Sequence, residues 1–167
     1  ASDARLALLL AGGEGRRLAP FIKEAFGEER PKQYCAFTGA RTMLEHTLER
    51  AGQVSGPHRI VTVIDKIHWG WIDEPRRLFV PGRIVPQPAL RETGPGTMLP
   101  LAHVSAQDPS ATVAVFPSDH FIAPNAAFVE DVRRAAVIAA AFPTSIVMLA
   151  ARPARPEEDY GWLEPGD

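Results

Sequence analysis

The sequence predicts an α/β fold in which a mostly parallel sheet is covered by helices. Three observations carry this. Short apolar runs recur at residues 5–11, 59–64, 83–85, 112–116 and 145–151. Segments with helical apolar spacing separate several of them, the alternation expected of parallel strands joined by crossover helices. The most distinctive polar residues stand just after these runs, at the carboxyl ends of the strands, where ligands bind in parallel sheets.

Residues 5–11 are a continuous apolar run, the pattern of a strand buried on both faces. Gly12 to Pro20 reads as a loop. Residues 21–30 interleave acidic and basic residues and read as a mobile flap or irregular insertion. Thr42-Met43-Leu44-Glu45 has capping-box spacing. It predicts a helix to about Ala51, with Met43, Leu44, Thr47, Leu48 and Ala51 on one face and an end at residues 52–57. Residues 59–64 are the second strand. Residues 65–78 are expected to be helical, with His68 a surface or packing histidine. Residues 83–85 are the third strand, 86–96 a long loop, and Thr97 caps a helix to about Ala106. Residues 112–116 are the fourth strand. Asn125 is expected to cap a helix whose apolar face holds Phe128, Val129, Val132, Ala135, Ala136, Ala139 and Ala140. Residues 145–151 read as the fifth strand, 152–159 as a charged loop, and Tyr160 as the opening of a sixth strand.

At 167 residues the chain is expected to be one domain with a sizeable core. Its net charge of −2 argues against a general nucleic-acid or anionic-membrane binder, so any phosphate affinity must be local. The single Cys35 cannot form an intrachain disulfide, suits a reducing cytoplasm and reads as a filler. No apolar run approaches the roughly 18 residues of a membrane span. The apolar N-terminus has no basic region or cleavage site, so it does not read as a signal peptide. His and Cys are scattered without zinc-ligand spacing.

The first run ends in Leu10-Ala11-Gly12-Gly13-Glu14-Gly15-Arg16-Arg17-Leu18, and Pro31-Lys32-Gln33-Tyr34 follows. Glycines let a backbone approach a ligand closely, and free amides beside arginines make an anion seat. A Walker loop is excluded because no Gly-x-x-x-x-Gly-Lys-Ser/Thr occurs. A dinucleotide loop is excluded because Leu18 stands where its third glycine belongs. The remaining alternatives are a phosphate-binding loop and a glycine-rich turn with solvated arginines. Farther on, Asp119 in Pro117-Ser118-Asp119-His120 is placed either to hold a hard divalent ion or to close a turn. In Gln87-Pro88-Ala89-Leu90-Arg91-Glu92-Thr93-Gly94-Pro95-Gly96, the Gln87 amide can pair with a base edge, or the stretch is a surface loop.

These residues resemble the sugar-1-phosphate nucleotidyltransferases. The glycine stretch with Pro31-Lys32 is similar to that family's signature, and Pro31-Lys32-Gln33-Tyr34 most resembles its mannose-1-phosphate guanylyltransferase branch. Arg16 departs from the family's Thr or Ser, and Tyr34 from its Phe. The isoprenoid cytidylyltransferases share the first two motifs, and Tyr160-Gly161-Trp162-Leu163-Glu164 favours a sugar phosphate instead. In the Gln87 stretch the family's Pro, Arg, Thr and Pro are in register. Gln87, Glu92 and Gly94 replace its Glu, Asn and Ala.

The resemblance implies a Rossmann-like three-layer sandwich of the nucleotide-diphospho-sugar transferase type and the transfer of a nucleotidyl group to a sugar 1-phosphate. Arg17 and Lys32 would be catalytic. Leu10, Ala11, Gly12, Gly13, Glu14, Gly15, Arg16, Gln87, Arg91, Thr93 and Gly94 would bind the nucleotide. Gly161 and Glu164 would bind the sugar, and Asp119 would bind Mg²⁺. GTP and mannose 1-phosphate are the favoured substrates, in GDP-mannose biosynthesis. The alternatives are glucose-1-phosphate transfer with uridine or thymidine triphosphate, or a non-catalytic sugar-nucleotide-binding regulatory module. A cytoplasmic protein is expected, with no nucleic-acid or membrane partner and room for a homo-oligomer. The likeness covers nearly all of residues 1–167 but only the first half or so of the family's usual length. The single domain is therefore expected to be incomplete on its C-terminal side.

Overall fold

The computed structural model describes residues 5–72, 78–89, 93–156, 158, 161–164 and 166. Its strands are β1 (Arg5–Ala11), β2 (Ile60–Asp65), β3 (Arg83–Gln87) and β4 (Thr112–Pro117). Its helices are α1 (Ala19–Phe26), α2 (Met43–Ser55), α3 (Trp69–Ile72), α4 (Thr93–Gln107) and α5 (Asn125–Ala141). The strands form one all-parallel sheet in the order β3-β2-β1-β4. The α/β class read from the sequence is what the chain adopts.

The alternation of side chains along β1 builds the layers. Ala7, Leu9 and Ala11 point to one face, where Leu44, Leu48 and Ala51 of α2 and Val129 and Val132 of α5 complete a core. Leu8 points to the other face and packs with Val61, Val63, Val85 and Val104, the last from α4. Helices therefore cover both faces, and β1 lies at the centre with a partner on each side. Full burial of a leucine such as Leu8 or Leu9 is worth about 1.5–3 kcal/mol. Among the described residues no helix is long and apolar enough to cross a membrane.

The start of α2 follows its sequence signal. The Thr42 hydroxyl accepts from the Glu45 amide at 3.2 Å, and the Glu45 carboxylate accepts from the Thr42 amide at 2.6 Å. The helix runs through Gly52 and stops at Gly56, whose φ of 80° no ordinary residue favours. Burial of Val54 against the core carries it into the expected terminating stretch, where Ser55 is its last residue.

Other elements differ from expectation. The interleaved charges of residues 21–30 conceal a real helix, α1, which opens with Pro20 in its first turn and closes at Gly27 with φ 74°. Helix α4 begins at Thr93 rather than Thr97, because Pro95 is tolerated in a first turn whose amides need no intrahelical acceptor. Asn125 is the first residue of α5 and not its cap. Pro124 holds that place, and the buried Asn125 Oδ1 has no hydrogen-bond partner.

The largest difference is at residues 145–151, which form no strand. Ile146 is 93% exposed and Met148 65%. Extended backbone becomes a strand only when a neighbour takes its hydrogen bonds. Among the described residues no strand pairs with this run. Residues 161–164 likewise form no strand, and Tyr160 lies outside the described residues.

Candidate active site

The chain order of the sheet fixes where a ligand can sit. From β1 the chain moves to β2 and β3 on one side, then returns to place β4 on the other side of β1. At such a switch point the loops after the two neighbouring strands part and leave a crevice. The loop after β1 is the glycine stretch, and the turn after β4 carries Asp119. The two predicted constellations therefore meet here.

Gly15 shows why the glycine stretch needs its composition. Its φ is +63°, and a Cβ added there would lie 3.0 Å from Lys32 Cβ. Any side chain at this position would push the Pro31-Lys32 turn away. Past Gly15 the chain makes a single 3-10 turn at Arg16–Leu18. Arg16 pairs with the Glu14 carboxylate while its side chain stays 85% exposed. Arg17 is also exposed on this turn.

The segment Lys32–Tyr34 is another 3-10 turn, closed by the Tyr34 amide on the Pro31 carbonyl at 2.9 Å. It delivers two side chains in different directions. Lys32 Nζ lies 3.1 Å from Asp119 Oδ2. Both groups are partly exposed, so the pair adds little stability. Its significance is placement: a cation and a carboxylate meet beside the glycine loop, where the loops after β1 and β4 part. Gln33 turns inward, is only 3% exposed, and donates to the Ala11 carbonyl at 2.8 Å and the Gly13 carbonyl at 2.9 Å.

Two further residues hold the Asp119 turn. The Ser118 hydroxyl donates to the Leu10 carbonyl at 2.6 Å, which ties the end of β4 to the end of β1. Arg50, 3% exposed in α2, donates to the His120 carbonyl at 3.3 Å and to Thr47 Oγ1 at 2.8 Å. Sequence reasoning gave no role to Gln33, Ser118 or Arg50. Each holds a backbone carbonyl far along the chain, which leaves no signature in a one-dimensional pattern. The only available hint was polar residue types inside or beside the motifs.

Gln87 ends β3, is 6% exposed and packs against both the glycine loop and α4. A Cβ at Gly96 would meet its amide nitrogen at 2.8 Å, and one at Gly12 at 3.5 Å. Gly96 thus makes room for Gln87, and Gln87 backs onto the first glycine of the loop. Thr93 and Gly94 are exposed in the first turn of α4, while Arg91 lies outside the described residues. Gly161 and Glu164 are exposed in the final segment, outside any strand.

Behind the loop lies a polar and aromatic layer. Tyr34 stacks on Trp71 at 6.2 Å and meets His68 edge-on at 5.7 Å. His68 is 3% exposed, so it is the packing histidine of the two alternatives read from the sequence. Burial holds its pKa below the ordinary 6.5, opposed by a hydrogen bond to the Ala11 backbone and by the Asp65 and Glu14 carboxylates. Burial, with Asp65 nearby, raises the Tyr34 phenol above its usual range. Cys35 is fully buried, and that burial pushes its thiol up to about 11, which keeps it protonated and makes it a filler.

A cleft of about 360 Å³ lies between α2 and the segment after β4, lined by His46, Arg50 and Phe121 among others. It holds none of the predicted site residues, and the crevice at the switch point is the better candidate because the convergent charges lie there.

Among the described residues no cluster of three His, Cys, Asp or Glu could hold a metal. Asp119 offers a hard carboxylate at the crevice, and it already accepts a cationic partner in Lys32. One carboxylate is enough for an ion that takes its remaining ligands from phosphates and water, which fits Mg²⁺.

The family described as Nucleotidyl transferase matches residues 6–167. Xanthan biosynthesis protein XanB of Xanthomonas campestris pv. campestris is 31% identical over 162 residues, covering 96% of this chain and 33% of the relative. Mannose-1-phosphate guanylyltransferase 2 of Escherichia coli O157:H7 is 29% identical, covering 99% of this chain and 34% of the relative. A crystal structure described as mannose-1-phosphate geranyltransferase from Thermus thermophilus superposes with a TM-score of 0.61 at 26% identity. It covers 79% of this chain and 37% of that one. The chain thus spans about a third of the length of these curated relatives. With the family match over nearly its whole length and the glycine loop, Lys32 and Asp119 gathered at one sheet edge, this chain belongs to the nucleotidyl transferase family.

Proposed function

We propose that the protein is a sugar-1-phosphate nucleotidyltransferase that joins GTP and mannose 1-phosphate to form GDP-mannose and pyrophosphate. The observation that carries this reading is the Lys32–Asp119 pair, set beside the glycine loop. Relatives bearing the name mannose-1-phosphate guanylyltransferase support the choice of sugar and base. The reading also places the protein in the cytoplasm, without nucleic-acid or membrane partners.

In this reaction a phosphate oxygen of the sugar 1-phosphate attacks the α-phosphorus of the nucleotide. The new O–P bond forms as the bond to the bridging oxygen breaks, and pyrophosphate leaves. The nucleophile is already an anion, so no general base is needed. That accords with a site lacking a paired His or Cys nucleophile among the described residues. The protein's task is alignment and charge neutralisation. The loop amides and Arg17 hold the departing pyrophosphate. Lys32, a compact charge on a flexible stem, moves from Asp119 to the α-phosphate oxygens. Asp119 would hold Mg²⁺, which supplies charge neutralisation when bound. Gln87, Arg91, Thr93 and Gly94 would contact the base and ribose, and Gly161 and Glu164 the sugar.

The test is thermal stability with Mg²⁺ and GTP, ATP, CTP, UTP or dTTP in turn. A ligand at 100 times its Kd adds about 2.7 kcal/mol to the folded state. A shift selective for GTP is expected. Selectivity for UTP or dTTP would replace guanylyl transfer with the glucose-1-phosphate reaction. No shift with any nucleotide would remove nucleotide binding from these residues. Pyrophosphate release with GTP and mannose 1-phosphate should fall at least 100-fold in Lys32→Ala and Asp119→Ala, and unchanged rates would end the catalytic assignment.

A further inference from the structure

We propose that Gln33 is a positioning residue that builds the phosphate seat without touching the ligand. The proposal rests on the nucleotide-binding reading above. The Gln33 amide nitrogen has two hydrogens, and both are used, on the Ala11 carbonyl at 2.8 Å and the Gly13 carbonyl at 2.9 Å. Both partners are carbonyl oxygens, so only the NH₂ end of the side chain can face them.

The consequence follows from the shape of the peptide unit. In a trans peptide the C=O and the next N–H point in opposite directions. With the Ala11 carbonyl held by Gln33, and by His68 beside it, the Gly12 N–H points away from both. With the Gly13 carbonyl fixed on the same nitrogen, the Glu14 N–H also points away. One buried nitrogen therefore turns two amides, those of Gly12 and Glu14, to the side of the loop away from it, leaving each to meet a separate phosphate oxygen.

The turn that carries Gln33 also carries Lys32. Its closure fixes the lysine toward Asp119 and the glutamine toward the loop together, so the cation and the amide seat are set by one short element. No neighbouring residue can substitute. Asparagine would fall about 1.5 Å short, and glutamate would turn lone pairs toward lone pairs.

A purely structural glutamine would affect folding alone, whereas a positioning one affects phosphate affinity. The experiment compares wild type with Gln33→Met, which keeps length and volume and removes the donors. Inorganic pyrophosphate is the probe, followed by amide proton–nitrogen spectra. In wild type the Gly12 and Glu14 amides should shift on titration. In Gln33→Met those shifts should vanish and the Kd should rise at least tenfold, while resonances of the sheet core stay in place. Gln33→Asn should show the same loss and serves if the methionine variant does not fold. Affinity within twofold of wild type in a folded variant overturns the proposal. So do Gly12 and Glu14 amides that stay unmoved while GTP binds. If wild type binds neither pyrophosphate nor GTP, the nucleotide reading falls, and the role of Gln33 falls with it.

Discussion

Residues 5–11 and 145–151 are two apolar runs of equal length with opposite fates. The first is the central strand of the sheet, with Leu8 and Leu9 fully buried. The second pairs with no strand among the described residues, and Ile146 is almost wholly exposed. Their side chains are equally apolar, so hydrophobicity does not separate them. Neighbours do. β1 has β2 on one side and β4 on the other, with α2, α4 and α5 above and below. An apolar run is a strand only where its backbone hydrogen bonds and both its faces have takers.

That contrast can be broken by measurement. The largest expected effect is in β1. Leu9→Ala should cost about 3 kcal/mol in urea denaturation, since it empties a fully buried site against α2 and α5. Ile146→Ala should stay within about 0.5 kcal/mol, as for exposed side chains in general. Equal costs would mean that the second run is packed in solution. Amide exchange gives the same contrast without mutation: Leu8 to Leu10 should exchange only on global opening, and residues 146–149 quickly.

A smaller effect comes from the cover over β1. Thr42→Ala removes the hydroxyl of the capping box and should cost about 1 kcal/mol. A change below about 0.3 kcal/mol would show that tertiary packing alone holds the start of α2.

The smallest effect is that of pH at the end of β1. His68 is buried with its pKa below 6.5. Between its folded and unfolded pKa values the unfolded chain binds the extra proton. Its contribution to stability is therefore complete above about pH 6.5 and is lost as pH falls from there toward the folded value. His68→Gln should flatten that part of the stability profile. An unchanged slope would mean that His68 titrates alike in both states.

Much of the fold could be read directly. β1 has the bounds of its apolar run, and α2 starts at its capping box. Helix α1 was concealed because alternating charges mask its spacing, although Pro20 and Gly27 mark its ends. Arg17, Lys32 and Asp119 stood out only through the motifs that resemble the family, because an aspartate after a strand is equally at home in a turn. Gln33, Ser118 and Arg50 did not stand out. Each reaches an acceptor 22, 108 or 70 residues away in the chain, a backbone carbonyl that every residue type possesses.

By itself the sequence determined local matters: which runs can be extended, where helices may start, and which residues carry charge or bare backbone. These depend on neighbours along the chain, where φ preferences, caps and side-chain periodicity act. The tertiary structure decided which ends meet. Only the order β3-β2-β1-β4 brings the turn after β4 against the loop after β1, and with it Asp119 to Lys32. It also decided that residues 5–11 are a strand and that 145–151 are not. Pairing is a property of two segments, and no single segment encodes it.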